Sequence, residues 1–284
     1  MEWLTGRKLP IGLWIRDGVD HLDRHAGGVF DAIAATLRGL IDGVTWSLLA
    51  LPPAATILVF AALVFWLHRN WRLPLVLIAS LLLIVNLGYW QETMETLGLV
   101  SIATFFCMAI GVPLGIAAAH YPPLYTALRP LLDLMQTIPT FVYLIPTLIL
   151  FGLGVVPGLI STIVFALPAP IRLTQLGIAS VPVQLKEAAD AFGASRWQKL
   201  VKVELPHALP TILAGLTQCI MLSLSMVVIA ALVGADGLGK PVVRALNTVN
   251  VAMGFEAGLA IVILAILLDR IVRVPRLARP GAGR

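Results

Sequence analysis

Apolar stretches long enough to cross a bilayer dominate the chain, separated by short polar connections. They run at roughly 50–68, 73–90, 96–119, 130–151, 157–172, 207–233 and 256–272. About 20 apolar residues, at 1.5 Å of rise each, cross the hydrocarbon layer as a helix, so the pattern predicts about seven transmembrane helices. Two stretches are marginal: 73–90 is short, and Pro168 and Pro170 must kink or end the helix begun at 157. The Gly-rich run at 152–158 predicts a tight turn between the fourth and fifth helices.

Before the first of these, residues 11–46 alternate with a helical period. Val29, Ile33, Leu37, Leu40, Ile41 and Val44 fall on one side, and Asp31, Arg38 and Asp42 on the other. This segment is expected not to span but to lie flat on the membrane or to brace the bundle. The loop at 172–206 is long and charged, with helical stretches on either side of Gly193.

Composition agrees with a membrane domain, since 59% of the 284 residues are hydrophobic and only 12% charged, about half the charged share of soluble domains. The net charge of +5 would suggest nucleic acid in a soluble protein. Here the basic residues cluster at the ends of apolar runs, so they set orientation instead. Thirteen Lys and Arg fall in the connections 69–72, 120–130, 172–206 and the tail after 269. Only Lys240 and Arg244 fall in 90–96, 152–157 and 234–256. The positive-inside rule puts the first set in the cytoplasm, hence the N-terminus outside and the C-terminus inside. Five basic residues in the N-terminal segment pull mildly the other way. Cys107 and Cys219 lie in apolar runs and read as small core residues.

The middles of the predicted spans hold no ionisable residue, which lowers the prospect of an ion-coupled carrier or channel working alone. No protease motif is present. The segment Gly234 to Pro241 has the Gly-x4-Gly-Lys core of a phosphate loop, but Pro241 stands where a magnesium-binding hydroxyl is needed. It also follows an apolar helix instead of a strand, so it reads as a Gly-rich turn.

The charged loop contains Glu187-Ala188-Ala189, three residues, Gly193, nine residues, then Val203-Glu-Leu205-Pro206. This spacing resembles the EAA signature of ABC importer permeases at every position. The residues suit the role: short-chained Ala188 and Ala189 admit a close partner surface, and Phe192 and Trp197 offer apolar anchors. Gly193 allows the backbone to turn where a Cβ would clash, and Pro206 suits the first turn of the next helix.

From about 93 to 272 the chain further resembles importers of quaternary amines, those for glycine betaine, proline betaine and choline. The residues include Leu132-Asp133, Gln136-Thr137-Ile-Pro139, Phe141-Val-Tyr143, Phe151-Gly152-Leu-Gly154, Ser223-Leu-Ser225 and Asp269-Arg270. The resemblance implies an all-α polytopic type I ABC transmembrane domain in a bacterial cytoplasmic (inner) membrane. Its parts are an amphipathic segment at 1–50, two additional helices at 51–92, the permease domain at 93–272 and a basic cytoplasmic tail at 273–284. It implies no ATPase activity and no cofactor, ATP being bound by a partner. The partners are an ATPase dimer, an extracytoplasmic binding protein and a second permease copy, with a heterodimer as the alternative. Gln136, Thr137, Phe141, Tyr143, Ser223 and Ser225 are the candidates for lining the pathway, against the simpler role of pairing helices. An amino acid remains an alternative cargo.

Overall fold

The computed structural model describes residues 11–272, and all regular structure among them is helical. In chain order the helices are α1 (Ile11–Leu49), α2 (Pro53–His68), α3 (Arg72–Asn86), α4 (Trp90–His120), α5 (Pro122–Thr137), α6 (Thr140–Phe151) and α7 (Val155–Ala166). They continue with α8 (Pro168–Ala179), α9 (Val183–Ala191), α10 (Arg196–Lys199), α11 (Leu205–Ala231), α12 (Gly239–Thr248) and α13 (Val251–Val272).

α8 sits between α4 and α11, and small residues set how closely they approach. A Cβ on Gly111 of α4 would stand 2.8 Å from Pro170, and one on Gly115 would stand 2.6 Å from Thr174 and 2.7 Å from the Ile171 carbonyl. Lipid tails are as apolar as leucine, so helices in a membrane gain chiefly from such close packing and from interhelical hydrogen bonds. The bonds are present too: Thr147 of α6 and Ser161 of α7 join hydroxyls at 2.8 Å, and Ser161 also reaches the Tyr143 carbonyl.

One end of the bundle is closed by hydrogen bonds from loop backbone. The Gly154 N–H donates to the Val233 carbonyl at 2.8 Å, and the Leu238 N–H donates to the Thr96 hydroxyl at 2.9 Å. The start of α4, the end of α6, the start of α7 and the end of α11 therefore share this end. His120 and the segment after α8 lie at the other.

The structure departs from the sequence pattern in four places. The predicted fourth span, 130–151, is broken: α5 and α6 meet at 96°. Ile138 is extended (φ −65°, ψ 129°) ahead of Pro139, as sterics with a following proline favour. The fifth is not ended by its prolines. Leu167 stays helical and its N–H reaches the Ile163 carbonyl, so Val155–Ala179 forms one span-length unit of 25 residues. Arg172 consequently lies in that helix, where the sequence reading put it at the start of the loop. α2 and α3, at 16 and 15 residues, pack as a short hairpin; about 24 Å of helix falls short of the roughly 30 Å hydrocarbon layer. The connection at 234–256 holds a further helix, α12.

The N-terminal segment is one helix of 39 residues that braces the bundle. Phe30 meets Phe151 edge-on at 5.5 Å, Ile41 is buried against Ile102, Ala103 and Leu159, and Thr45 abuts Gly98. All these contacts fall toward the end closed by Gly154 and Val233. α1 thus crosses α6, α7 and α4 obliquely, although Arg24–Leu49 has the length and apolarity of a span. Leu37 and Val44 pack with Ile41, while Val29, Ile33 and Leu40 of the same stripe face outward. The basic tail at 273–284 lies outside the described residues.

Candidate functional site: the charged elbow and the broken helix

α9 is short and alanine-rich, and nothing in it is buried. It ends because Gly193 adopts a left-handed φ of +73°, letting the Ala194 N–H cap the Ala189 carbonyl at 3.0 Å. A Cβ on Gly193 would meet nothing within 4 Å. The expected clash is therefore absent, and the backbone angle alone calls for glycine. Ser195 then opens α10 with a capping box: it accepts from the Gln198 N–H, and the Gln198 side chain accepts from the Ser195 N–H. Lys199 closes the elbow from the other side, donating to both carboxylate oxygens of Asp190 at 2.7 and 2.9 Å.

The elbow joins α11 without a break. Leu200–Glu204 form a π-turn in which the Leu205 N–H reaches the Leu200 carbonyl, so helix runs from Arg196 to Ala231. Leu205 packs on Ile178, Ala208 and Ile212, Val203 is half-buried and Pro206 occupies the first turn of α11. Glu187 and Ala188 are exposed and Ala189 partly so. Phe192 is 92% exposed and Trp197 71%. Large exposed rings on a braced elbow have the chemistry of residues that anchor docking interfaces.

The residues singled out for the pathway divide into two groups. Gln136, Thr137, Phe141 and Tyr143 gather at the α5–α6 break. The Tyr143 hydroxyl donates to the Met135 carbonyl across the bend, and its ring lies 6.4 Å from Phe165. Gln136, Thr137 and Phe141 are exposed, and the Thr137 hydroxyl returns to the Leu134 carbonyl. Ser223 and Ser225 do not join them. Ser223 is fully buried, whereas Ser225 faces outward and donates to the Met221 carbonyl at 3.0 Å. Gln218, two turns before Ser225 and so on the same outward face, was not singled out from the sequence; an amide at the middle of a 27-residue apolar helix was the available signal.

Two charged contacts were also missed. Arg172 of α8 donates to Asp133 of α5 at 2.7 Å, pinning the first half of the broken span. Glu204, in an unrestricted slot of the loop signature, is buried and lies 2.8 Å from His120. Cys107 and Cys219 are free and buried in one cluster with Ala166.

A helical membrane bundle with one broken span and a braced, exposed elbow at one end fits the permease subunit of a type I ABC importer. Residues 111–274 match the model of the binding-protein-dependent transport system inner membrane component family, and the chain belongs to that family. The glycine betaine transport system permease protein of Bacillus subtilis is 44% identical, over 97% of this chain and 98% of its own. The glycine betaine/proline betaine permease protein of Escherichia coli is 44% identical over 93% of this chain and 75% of its own. An inward-facing structure of the MetNI methionine ABC transporter superposes with a TM-score of 0.60, at 26% identity over 67% of this chain and 96% of that one. The chain is thus a multi-pass inner-membrane subunit that works beside a binding protein and an ATPase.

Proposed function

We propose that this permease carries a quaternary ammonium compatible solute into the cytoplasm, glycine betaine or proline betaine first, with choline or carnitine behind. The 44% identity across nearly the whole of a permease named for glycine betaine carries this reading. The chemistry is compatible with it. The ionised pair at the broken span, Asp133 and Arg172, is mutually neutralised, and such a pathway suits a zwitterion better than a strong anion. Phe141 and Tyr143 stand at the break, where an aromatic face would tolerate a methylated cation. Two copies would assemble around the pathway, because one chain supplies one elbow and an ATPase dimer has two grooves to fill.

Energy would come from the partner. The glycines of the phosphate-loop mimic already have structural duties: Gly234 and Gly237 have φ of +92° and +111°, and a Cβ on Gly239 would lie 2.3 Å from the Val227 carbonyl. Lys240 pairs with Asp236. The elbow residues Glu187, Ala188, Ala189, Gly193, Val203, Leu205 and Pro206 would pass the ATPase's movement to α11.

The test is uptake of radiolabelled betaine by vesicles holding permease, ATPase and binding protein with ATP inside. ATP-dependent uptake that proline betaine competes for is expected. Uptake of an amino acid, with betaine failing to compete, would overturn the cargo. In the same preparation Lys240→Ala should leave ATP hydrolysis nearly intact, and permease purified alone should bind no ATP. Specific nucleotide binding by the isolated subunit contradicts the assignment of energy to the partner.

The basic connections 120–130 and 172–206 both lie at the elbow's end of the bundle, which supports a cytoplasmic elbow. A reporter active only in the cytoplasm should work when fused after Arg284 or within 180–200 and fail near Asn247. Cytoplasmic activity near Asn247 reverses the orientation.

A further inference from the structure

Glu204 occupies a slot of the elbow signature that admits any residue, yet it is 2% exposed. Its carboxylate lies where three elements meet. It sits on the π-turn at the root of α11. Oε2 is 2.8 Å from Nε2 of His120, the last residue of α4, and Oε1 is 4.0 Å from Nζ of Lys186 on α9. His120 Nδ1 lies 2.9 Å from the Ile116 carbonyl. Both ring nitrogens therefore face oxygens.

Nearby, a cleft of about 900 Å³ opens between Pro113, Ala117 and Tyr121 on one side and Arg196 and Trp197 on the other. The elbow is thus not packed flush against the end of α4 here, and His120 and Glu204 reach each other at its edge. The Asp190–Lys199 pair braces the elbow internally.

We infer that Glu204, His120 and Lys186 form a clasp that fastens the coupling elbow to α4 as well as to α11. These are positioning residues. Their role rests on the elbow being the coupling element, as proposed above. Movement of α9 would then be delivered to both helices that flank α8. A carboxylate this deeply buried is costly to leave unpaired, so the contact should persist while the elbow moves.

The test uses the complete transporter in vesicles and reads solute moved per ATP hydrolysed. Loss of folded protein lowers transport and hydrolysis together and leaves this ratio unchanged, whereas a slipped clasp lowers the ratio itself. His120→Ala and Glu204→Ala should each reduce it about tenfold, the scale of one charge-assisted hydrogen bond. The ATPase should still co-purify. The double variant should be no worse than the poorer single, since the two residues act as a unit.

If Glu204→Ala does not accumulate in the membrane, His120→Ala and Lys186→Met test the same ratio at partly exposed side chains. An unchanged ratio in the single variants, or a double-variant loss equal to the product of the two, overturns the clasp. Gly193→Val separates this result from the reading beneath it. If that variant loses transport while the clasp variants keep their ratio, only the clasp falls. If all of them transport normally, the coupling role of the elbow falls with it.

Discussion

Gly193→Val is expected to abolish solute uptake while leaving the permease inserted and folded. Gly193 holds φ +73° with open space around the place a Cβ would take, so the cost of substitution is backbone strain alone. A β-branched residue is strongly disfavoured there, by about 1–3 kcal/mol. The elbow escapes that strain by unwinding the end of α9, which pulls Asp190 from Lys199 and turns Phe192 away from its docking direction. Transport should fall more than tenfold, and binding protein loaded with solute should no longer stimulate ATP hydrolysis. The melting temperature should barely change, because α9 buries nothing. Gly193→Asn is the counterpart, since asparagine tolerates the left-handed region, and it should keep most of the activity. Glu187→Lys attacks the same step electrostatically: the exposed carboxylate becomes a cation on the docking face, where complementarity steers association. Wild-type uptake by both Gly193→Val and Glu187→Lys would remove the elbow from the mechanism.

The elbow was legible in the sequence because its parts have local causes. The alanines, the glycine at the turn and the proline entering α11 act through neighbours a few residues away. The apolar stretches were legible for a similar reason, as the bilayer imposes their length whatever they pack against. Prolines were not. Pro113, Pro130, Pro146 and Pro210 all lie inside helices, while Pro139 marks a 96° break. Local sequence does not separate these cases, because the surrounding helices decide which freed carbonyl is satisfied. Glu204 was illegible for another reason. Its partners His120 and Lys186 are 84 and 18 positions away, and only the fold brings them together. The seating of α1 depended likewise on Gly98, Ala103 and Leu159 accepting it, which its own periodicity does not reveal.

Gly115→Ala should be strongly destabilising, and for the opposite reason to Gly193. Gly115 lies within α4, where alanine is the better helix former by about 1 kcal/mol. The added Cβ would stand 2.6 Å from the Thr174 Cβ and 2.7 Å from the Ile171 carbonyl oxygen. One of those neighbours is backbone, so no rotamer change relieves the contact, and α4 and α8 must move apart along the seam that Gly111 and Pro170 share. Overpacking of this kind costs about 1–3 kcal/mol or more, outweighing the propensity gain. Detergent-solubilised Gly115→Ala should melt several degrees below the wild type, and Gly115→Leu should fail to accumulate. Gly258→Ala is the control: nothing lies within 4 Å of its added Cβ, so its melting temperature should equal or exceed the wild type. The double variant Gly115→Ala with Thr174→Gly decides between side-chain and backbone crowding. It removes the Thr174 contact but leaves the Ile171 carbonyl, so it should remain destabilised. Full recovery would mean that the side chain alone sets the α4–α8 distance. An unchanged melting temperature in Gly115→Ala would show that the two helices are not this close in the folded protein.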